Sequence, residues 1–213
     1  MLNNQNENPV TDCTGDTRPK VRRGLLRRFC KEKSGTSTIE FALLALPFLI
    51  VLFASLETFA AFTAEQLLSN ATDTMARKVR TGEITFGLNP ATDMSEEQFR
   101  KAFCNEISII MKCSETEAKK PSRLFIDVRS FADFSKIPVA IPRKGGSSGD
   151  LDTSGFKFSP GGPTTINIVR AYYRWEVITD LVRPYITNLR PAGSSMPNDY
   201  LMVSTAAFRN ENY

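Results

Sequence analysis

Few side chains in this chain of 213 residues have the type and spacing to do chemistry, and two sets stand apart. The first is Glu40. It is a carboxylate at the front of the stretch SGTSTIEFALLALPFLIVLFASLE, Ser34–Glu57, five residues after Gly35. An ionised acid is costly in hydrocarbon. Read from physics alone, Glu40 sits one turn into an apolar helix and reaches water, and the helix macrodipole favours an acid at that end. The second set is Cys104 and Cys113, which could oxidise to a disulfide. Their spacing is not C-x-x-C, so a redox-active pair is not indicated, and a zinc site lacks ligands.

Much other chemistry is missing. The chain has no His, which excludes His-based acid–base catalysis and His metal sites. It carries no G-x-x-x-x-G-K-[ST], G-x-S-x-G or H-E-x-x-H motif. Nothing points to Ser–Lys or paired-carboxylate catalysis. We expect no enzyme, no cofactor, no metal and no small-molecule substrate. The net charge of +4 sits wholly in residues 1–35, which hold eight basic and four acidic residues. The remaining 19 bases and 19 acids cancel. A nucleic-acid partner is therefore not expected, because that reading wants a basic face on the domain itself.

The elements that must position these residues follow from hydropathy. Residues 1–17 are polar and aperiodic, and we expect them to be disordered. Residues 18–33, RPKVRRGLLRRFCKEK, form a basic run against the apolar stretch. Lys and Arg flanking a membrane helix stay cytoplasmic, and anionic lipid headgroups attract them. From Phe41 to Leu56 every residue is apolar except Ser55 and Pro47. A bilayer takes about 20 apolar residues of helix to cross. Residues 36–64 are thus expected to span a membrane, N-terminus inside. A removed secretory signal fits less well, since the exits in ETFAAFTA place Phe59 or Phe62 where a small residue is wanted. Pro47 would kink the span unless neighbours satisfy the carbonyl it frees. Glu57, at the outer boundary, reads as interfacial.

The apolar pattern continues as a stripe, Leu68, Ala71, Met75 and Val79, with polar residues on the other faces and Gly82 as a stop. One helix is expected from about Thr36 to Thr81, its extension 65–82 opening an extracytoplasmic domain, 65–213. Its outer half must pack on something. Ser95 as an N-cap, with Glu97 and Gln98 following, predicts a second helix of about 16 residues carrying Phe99, Ala102, Phe103, Ile107 and Ile110. Three alternating segments then predict an antiparallel sheet with one buried face. They carry Leu124, Ile126 and Val128; Val169, Ala171, Tyr173, Trp175 and Val177; and Leu201, Val203, Thr205 and Ala207. Residues 143–163, rich in Gly and Ser, read as a long flexible loop. Cys13 and Cys30 fall on the cytoplasmic side, as reduced thiols, and Cys104 and Cys113 on the outer side, where disulfides persist. On one straight helix the latter two would be about 13 Å apart, while a disulfide needs Cα atoms within about 7 Å. Pairing, which we expect, requires the helix to end near Met111 and the chain to turn back.

The constellation KEKSG followed by TSTIEFALLALPF resembles the class III signal of type IV pilins and pseudopilins. More narrowly, it is similar to the TadE-like family of the tight-adherence (Flp) pilus system. The segment YYRWEVITDL and the closing STAAFRNENY resemble the family's strand and its ending, with Asn212 where Pro is usual. The resemblance covers residues 31–64 closely and 166–213 more loosely. It implies a pilin-like α+β fold, with the long helix packed on a small antiparallel sheet and one further helix. It implies cleavage by a prepilin peptidase between Gly35 and Thr36, which makes Glu40 the fifth mature residue with the aromatic Phe41 after it. It also implies that Glu40 pairs with the new α-amine of a neighbouring subunit, since an unpaired charge among packed helices would cost several kcal/mol. Small residues such as Ala42, Ala45, Ala60, Ala61 and Ala64 permit close helix packing. The implied role is a minor pseudopilin or assembly protein of the bacterial inner membrane. Its partners would be lipids, the peptidase and other pilins. The alternative is an uncleaved single-pass extracytoplasmic binding or sensor module using the loop at 143–163.

Overall fold

The computed structural model describes residues 36–179, 183–190 and 199–213. The leader 1–35, with Gly35, Cys13 and Cys30, lies outside the described residues. The chain divides into two units, residues 1–48 and 49–213. The first unit contributes the opening turns of helix α1 (Thr36–Arg80), and the second carries the rest of α1 and an α+β domain. Pro47 lies inside α1. With no N–H of its own, it leaves the carbonyl of Leu43, four residues back, without a helix hydrogen bond.

The second unit is built on the outer half of α1. Leu68, Ala71, Met75 and Val79 are all buried, and Ala64, Thr72 and Ala76 widen the stripe. The helix ends at Arg80, and Gly82 follows at φ 78°, a left-handed conformation that costs glycine little. Helix α2 (Glu96–Ile107) starts at the Ser95 capping box, where Ser95 Oγ accepts from Gln98 N and Gln98 Oε1 accepts from Ser95 N. It is 12 residues long, shorter than the sequence suggests. Ile110 therefore falls outside it and is exposed, and Met111 takes the buried place. Phe99, Phe103 and Ile107 face the core. The short helix α3 (Glu115–Lys119) leads into β1 (Leu124–Phe131).

The sheet has the order β4-β1-β5-β6, with β4 at Phe158–Ser159, β5 at Ile166–Glu176 and β6 at Asp199–Arg209. β1–β5 and β5–β6 are antiparallel, while β4 joins the edge of β1 in parallel. The register aligns Val128, Val169 and Ala206 across the sheet, then Ile126, Ala171 and Ser204, then Leu124, Tyr173 and Met202. Most of this face packs with α1 and α2 in one core.

Two expectations are corrected here. The sheet buries both faces: a second cluster of Leu151, Tyr172, Leu189 and Leu201 lies on the opposite side. On β6, accordingly, Met202, Ala206 and Phe208 belong with the main core, whereas Leu201 and Val203 serve the second. Residues 143–163 are ordered structure rather than a loose loop. They contain the hairpin β2 (Arg143–Lys144) and β3 (Asp150–Leu151), as well as β4. Phe156 stacks on Tyr172 with ring centroids 4.9 Å apart. Asp150 pairs with Arg174 at 2.5 Å, and Lys157 N donates to Asp127 Oδ1 at 3.1 Å. Helix α4 (Arg183–Ile186) lies in the connection from β5 to β6.

Candidate functional site

The candidate site is the surface of α1. Its apolar residues from Ile39 to Phe62 are mostly exposed, Phe41 at 72%. A patch of this length on a soluble monomer would be unusual and marks a membrane or protein contact. It is long and apolar enough to cross a membrane. The hydroxyl side chains in its outer part bond back to the helix. Ser55 Oγ donates to the Val51 carbonyl at 2.8 Å, Thr58 Oγ1 to Ala54 at 2.9 Å and Thr63 Oγ1 to Phe59 at 2.9 Å. Such back-bonding leaves no unpaired hydroxyl facing an apolar medium.

Glu40 and Phe41 both point outward at the start of this surface. No side chain among the described residues pairs with Glu40. Thr36 opens α1, Glu40, Phe41 and Pro47 follow on its opening turns and Leu56 lies on its later part, while Gly35 lies outside the described residues.

Glu57 takes a place the sequence did not signal. Its carboxylate accepts from Ile178 N at 2.5 Å and Thr179 N at 3.0 Å, joining the helix to the end of β5. Beside it lies a cleft of about 230 Å³, lined among others by Ala61, Phe62, Trp175, Val177 and Tyr200. The Trp175 indole N–H is buried there without a partner among the described residues. The only hint in the sequence is that Glu57 ends a run of 16 uncharged residues after Glu40. Its partners lie 121 and 122 positions on, beyond any local pattern.

Two closures hold the domain that carries this helix. Cys104 and Cys113 form a disulfide, with Cα atoms 5.2 Å apart, because α2 stops at Ile107 and the chain turns back. Below it, the Glu117 carboxylate accepts from the backbone amides of Ser122, Arg123 and Leu124 and from Ser122 Oγ, all within 2.9 Å. Burial pushes this carboxyl up, but those donors outweigh burial and hold it below its ordinary value. At the other end, the closing FRNENY folds over the end of α1. Glu211 N donates to the Arg80 carbonyl at 2.9 Å, so it satisfies one of the helix's orphan acceptors. Asn210 Nδ2 donates to the carbonyls of Gly161 and Gly162 and to Tyr213 Oη. The Tyr213 ring lies where a side chain at Gly82 would be.

The family model described as TadE-like protein matches residues 35–77. The match spans α1 almost entirely and does not reach the closing segment. No curated protein and no solved structure matches the chain.

Proposed function

From a helix that carries the TadE-like match, we propose that the chain is a minor pseudopilin or assembly protein of a tight-adherence (Flp) pilus. A prepilin peptidase cuts between Gly35 and Thr36 in the bacterial inner membrane. The mature helix then leaves lateral lipid contacts for contacts with neighbouring pilin helices, and no catalysis is involved. The leader 1–35 stays cytoplasmic and the domain that follows the span lies outside. The observation that carries this reading is the exposed apolar surface of α1, which opens on Glu40, an acid that no side chain among the described residues pairs with.

The arrangement suits assembly for a physical reason. The new α-amine of Thr36 and the carboxylate of Glu40 are each costly in hydrocarbon, and less so as an intermolecular pair. Charge matching would therefore favour one register between adjacent helices. The pairing needs Glu40 free in the single chain.

The test is the N-terminal sequence of the mature protein from cells with and without the prepilin peptidase. A start at Thr36 only when the peptidase is present is the expected outcome. An intact N-terminus in both strains would overturn the reading and favour the uncleaved module. In a second arm, Glu40→Ala should be cleaved normally while piliation, scored by electron microscopy, is lost. Normal piliation would remove the amine pairing.

A further inference from the structure

The sheet ends in two unlike edges. At one, β4 is two residues long, and so short an edge strand offers little to another chain. At the other, β6 runs for 11 residues beside β5 in an unbroken register. It contains no Pro, and between Asp199 and Arg209 it has no charged residue. The devices that ordinarily blunt a free edge are missing from it.

The hydrogen bonds show which of its backbone groups are open. Along an antiparallel strand, the N–H and C=O of successive residues point alternately to one side and the other. Asp199 exchanges bonds with Leu189, and Leu201 N donates to Asn188 Oδ1 at 2.8 Å, so the odd positions point away from β5. Asn210 N donates to the Thr165 carbonyl at 2.9 Å, which places the even positions on the β5 side. The outward row is thus capped at its start by Asn188 and Leu189. At its end it is capped by α1, whose Arg80 carbonyl takes Glu211 N. Between these caps, the outward N–H and C=O of Val203, Thr205, Ala207 and Arg209 have no hydrogen-bond partner among the described residues. They make an open window about 20 Å long. Thr205, Ala207 and Arg209 are exposed.

A groove of about 520 Å³ runs between this window and α1, lined by Asp73, Ala76, Arg77 and Arg80 on the helix and by Thr205 and Ala207 among others on the strand. Arg80 pairs with Glu211 at 3.4 Å. Arg77 and Arg209 have no ion-pair partner among the described residues. Asp73 lies a turn earlier on α1, so the surplus positive charge sits toward the Arg80 end.

We propose that the window takes up an extended segment of another protein chain, which adds a strand beside β6 and sets a carboxylate against Arg77 and Arg80. Main-chain bonds would hold such a segment, and its charge would fix its place along the groove. A second copy does not suit the same window. Two identical edges join antiparallel about a two-fold axis perpendicular to the sheet. That axis reverses every direction in the plane of the sheet, including that of α1, whose outer half packs on it. If α1 spans the bilayer, as the proposed function holds, the two copies would enter the membrane from opposite sides. A symmetric parallel pair would set the open positions level, where a parallel ladder needs them staggered. The choice of partner rests on the reading of α1 as a span; the open window does not.

The test is amide hydrogen exchange, read residue by residue by NMR on the full isotope-labelled chain in nanodiscs. Alone, the amides of Val203, Thr205, Ala207 and Arg209 should exchange at least about tenfold faster than those of Ser204, Ala206 and Phe208 between them. The probe is a synthetic peptide of alternating Val and Thr that ends in two Asp. It should slow the four open amides to the level of their neighbours, and the same peptide with alternate amides N-methylated should not. Ending the peptide in Lys should weaken it several-fold at low salt, and Arg77→Glu should narrow that gap. Open amides already slow in the chain alone would overturn the proposal. Slowing that grows with chain concentration would then assign the edge to a second copy, and slowing that does not would assign it to the chain itself. Fast amides that the acidic peptide leaves fast would overturn it as well. Equal protection by the Lys-ended peptide would overturn the acidic partner. None of these readouts depends on cleavage at Gly35 or on piliation, so their failure leaves the proposed function standing, and a failed cleavage leaves the window open.

Discussion

Three carboxylates show how one residue type is put to different uses by its surroundings. Glu40 stands exposed at the head of an apolar helix, Glu57 accepts two amides from a distant strand end, and Glu117 gathers four donors at the start of β1. The folded pKa of Glu117 lies below the ordinary 4.5, so the ionised form stabilises the folded state. That contribution is complete above pH 4.5 and is lost as pH falls through the lower folded value. Glu117→Gln should therefore flatten the acid limb of the stability curve, measured by denaturant midpoint from pH 6 downward, relative to the wild type. An unchanged acid limb would rule this out. Gly82 is the other single residue with a sharp expectation. Its φ of 78° strains any side chain, and a Cβ there would fall 2.5 Å from the Tyr213 ring. Gly82→Ala should cost more than about 1 kcal/mol. In thermal unfolding, each such kcal/mol lowers the midpoint by about 2–4 °C for a chain of this size. A midpoint at or above the wild type would contradict the clasp of Tyr213 over the helix end.

Among the elements, α1 is two helices in one. Residues up to about Phe62 are apolar on all sides, whereas the part from Ala64 to Val79 buries a single stripe. The stripe at Leu68, Ala71, Met75 and Val79 was readable because a 3.6-residue period is a local property. The end of α2 was less so. The apolar series suggests a helix reaching Ile110, but the chain leaves the helix after Ile107 and the disulfide to Cys113 holds that turn. Removing both cysteines, Cys104→Ser with Cys113→Ser, should cost about 2–3 kcal/mol for a closed loop this short. The denaturant midpoint reports the loss. Hydrogen exchange should rise first at Met111 and Lys112, where Tyr173 Oη donates to the Lys112 carbonyl at 3.2 Å. Equal midpoints would mean that the Glu117 closure alone fixes this corner. The Gly- and Ser-rich segment misleads for a different reason. Its composition speaks for freedom, but Leu151, Phe156 and Phe158 anchor it to the sheet.

At the scale of the molecule, the sheet is the organising layer. The helices cover one face, and Leu151, Phe156 and Leu189 pack on the other, so β5 is buried along most of its length on both sides, including Tyr172 and Arg170. Arg170 is admitted because its guanidinium donates to Thr205 Oγ1 at 2.9 Å and to the Pro138 carbonyl at 2.8 Å. The sequence by itself determined the long helix, its apolar and amphipathic halves, the capped second helix and the three long strands. It also held the resemblance that the family match over residues 35–77 parallels. These rest on period, capping and composition, all of which act between residues a few positions apart. Only the tertiary structure decided that the sheet has two cores, that β4 adds to it in parallel, and that Met202 rather than Leu201 faces the helices. It also decided that Glu57 holds the end of β5. Each of these is a contact between segments far apart in the chain. A side chain's alternation along a strand tells which residues share a face, but what covers that face depends on where the rest of the chain comes to lie.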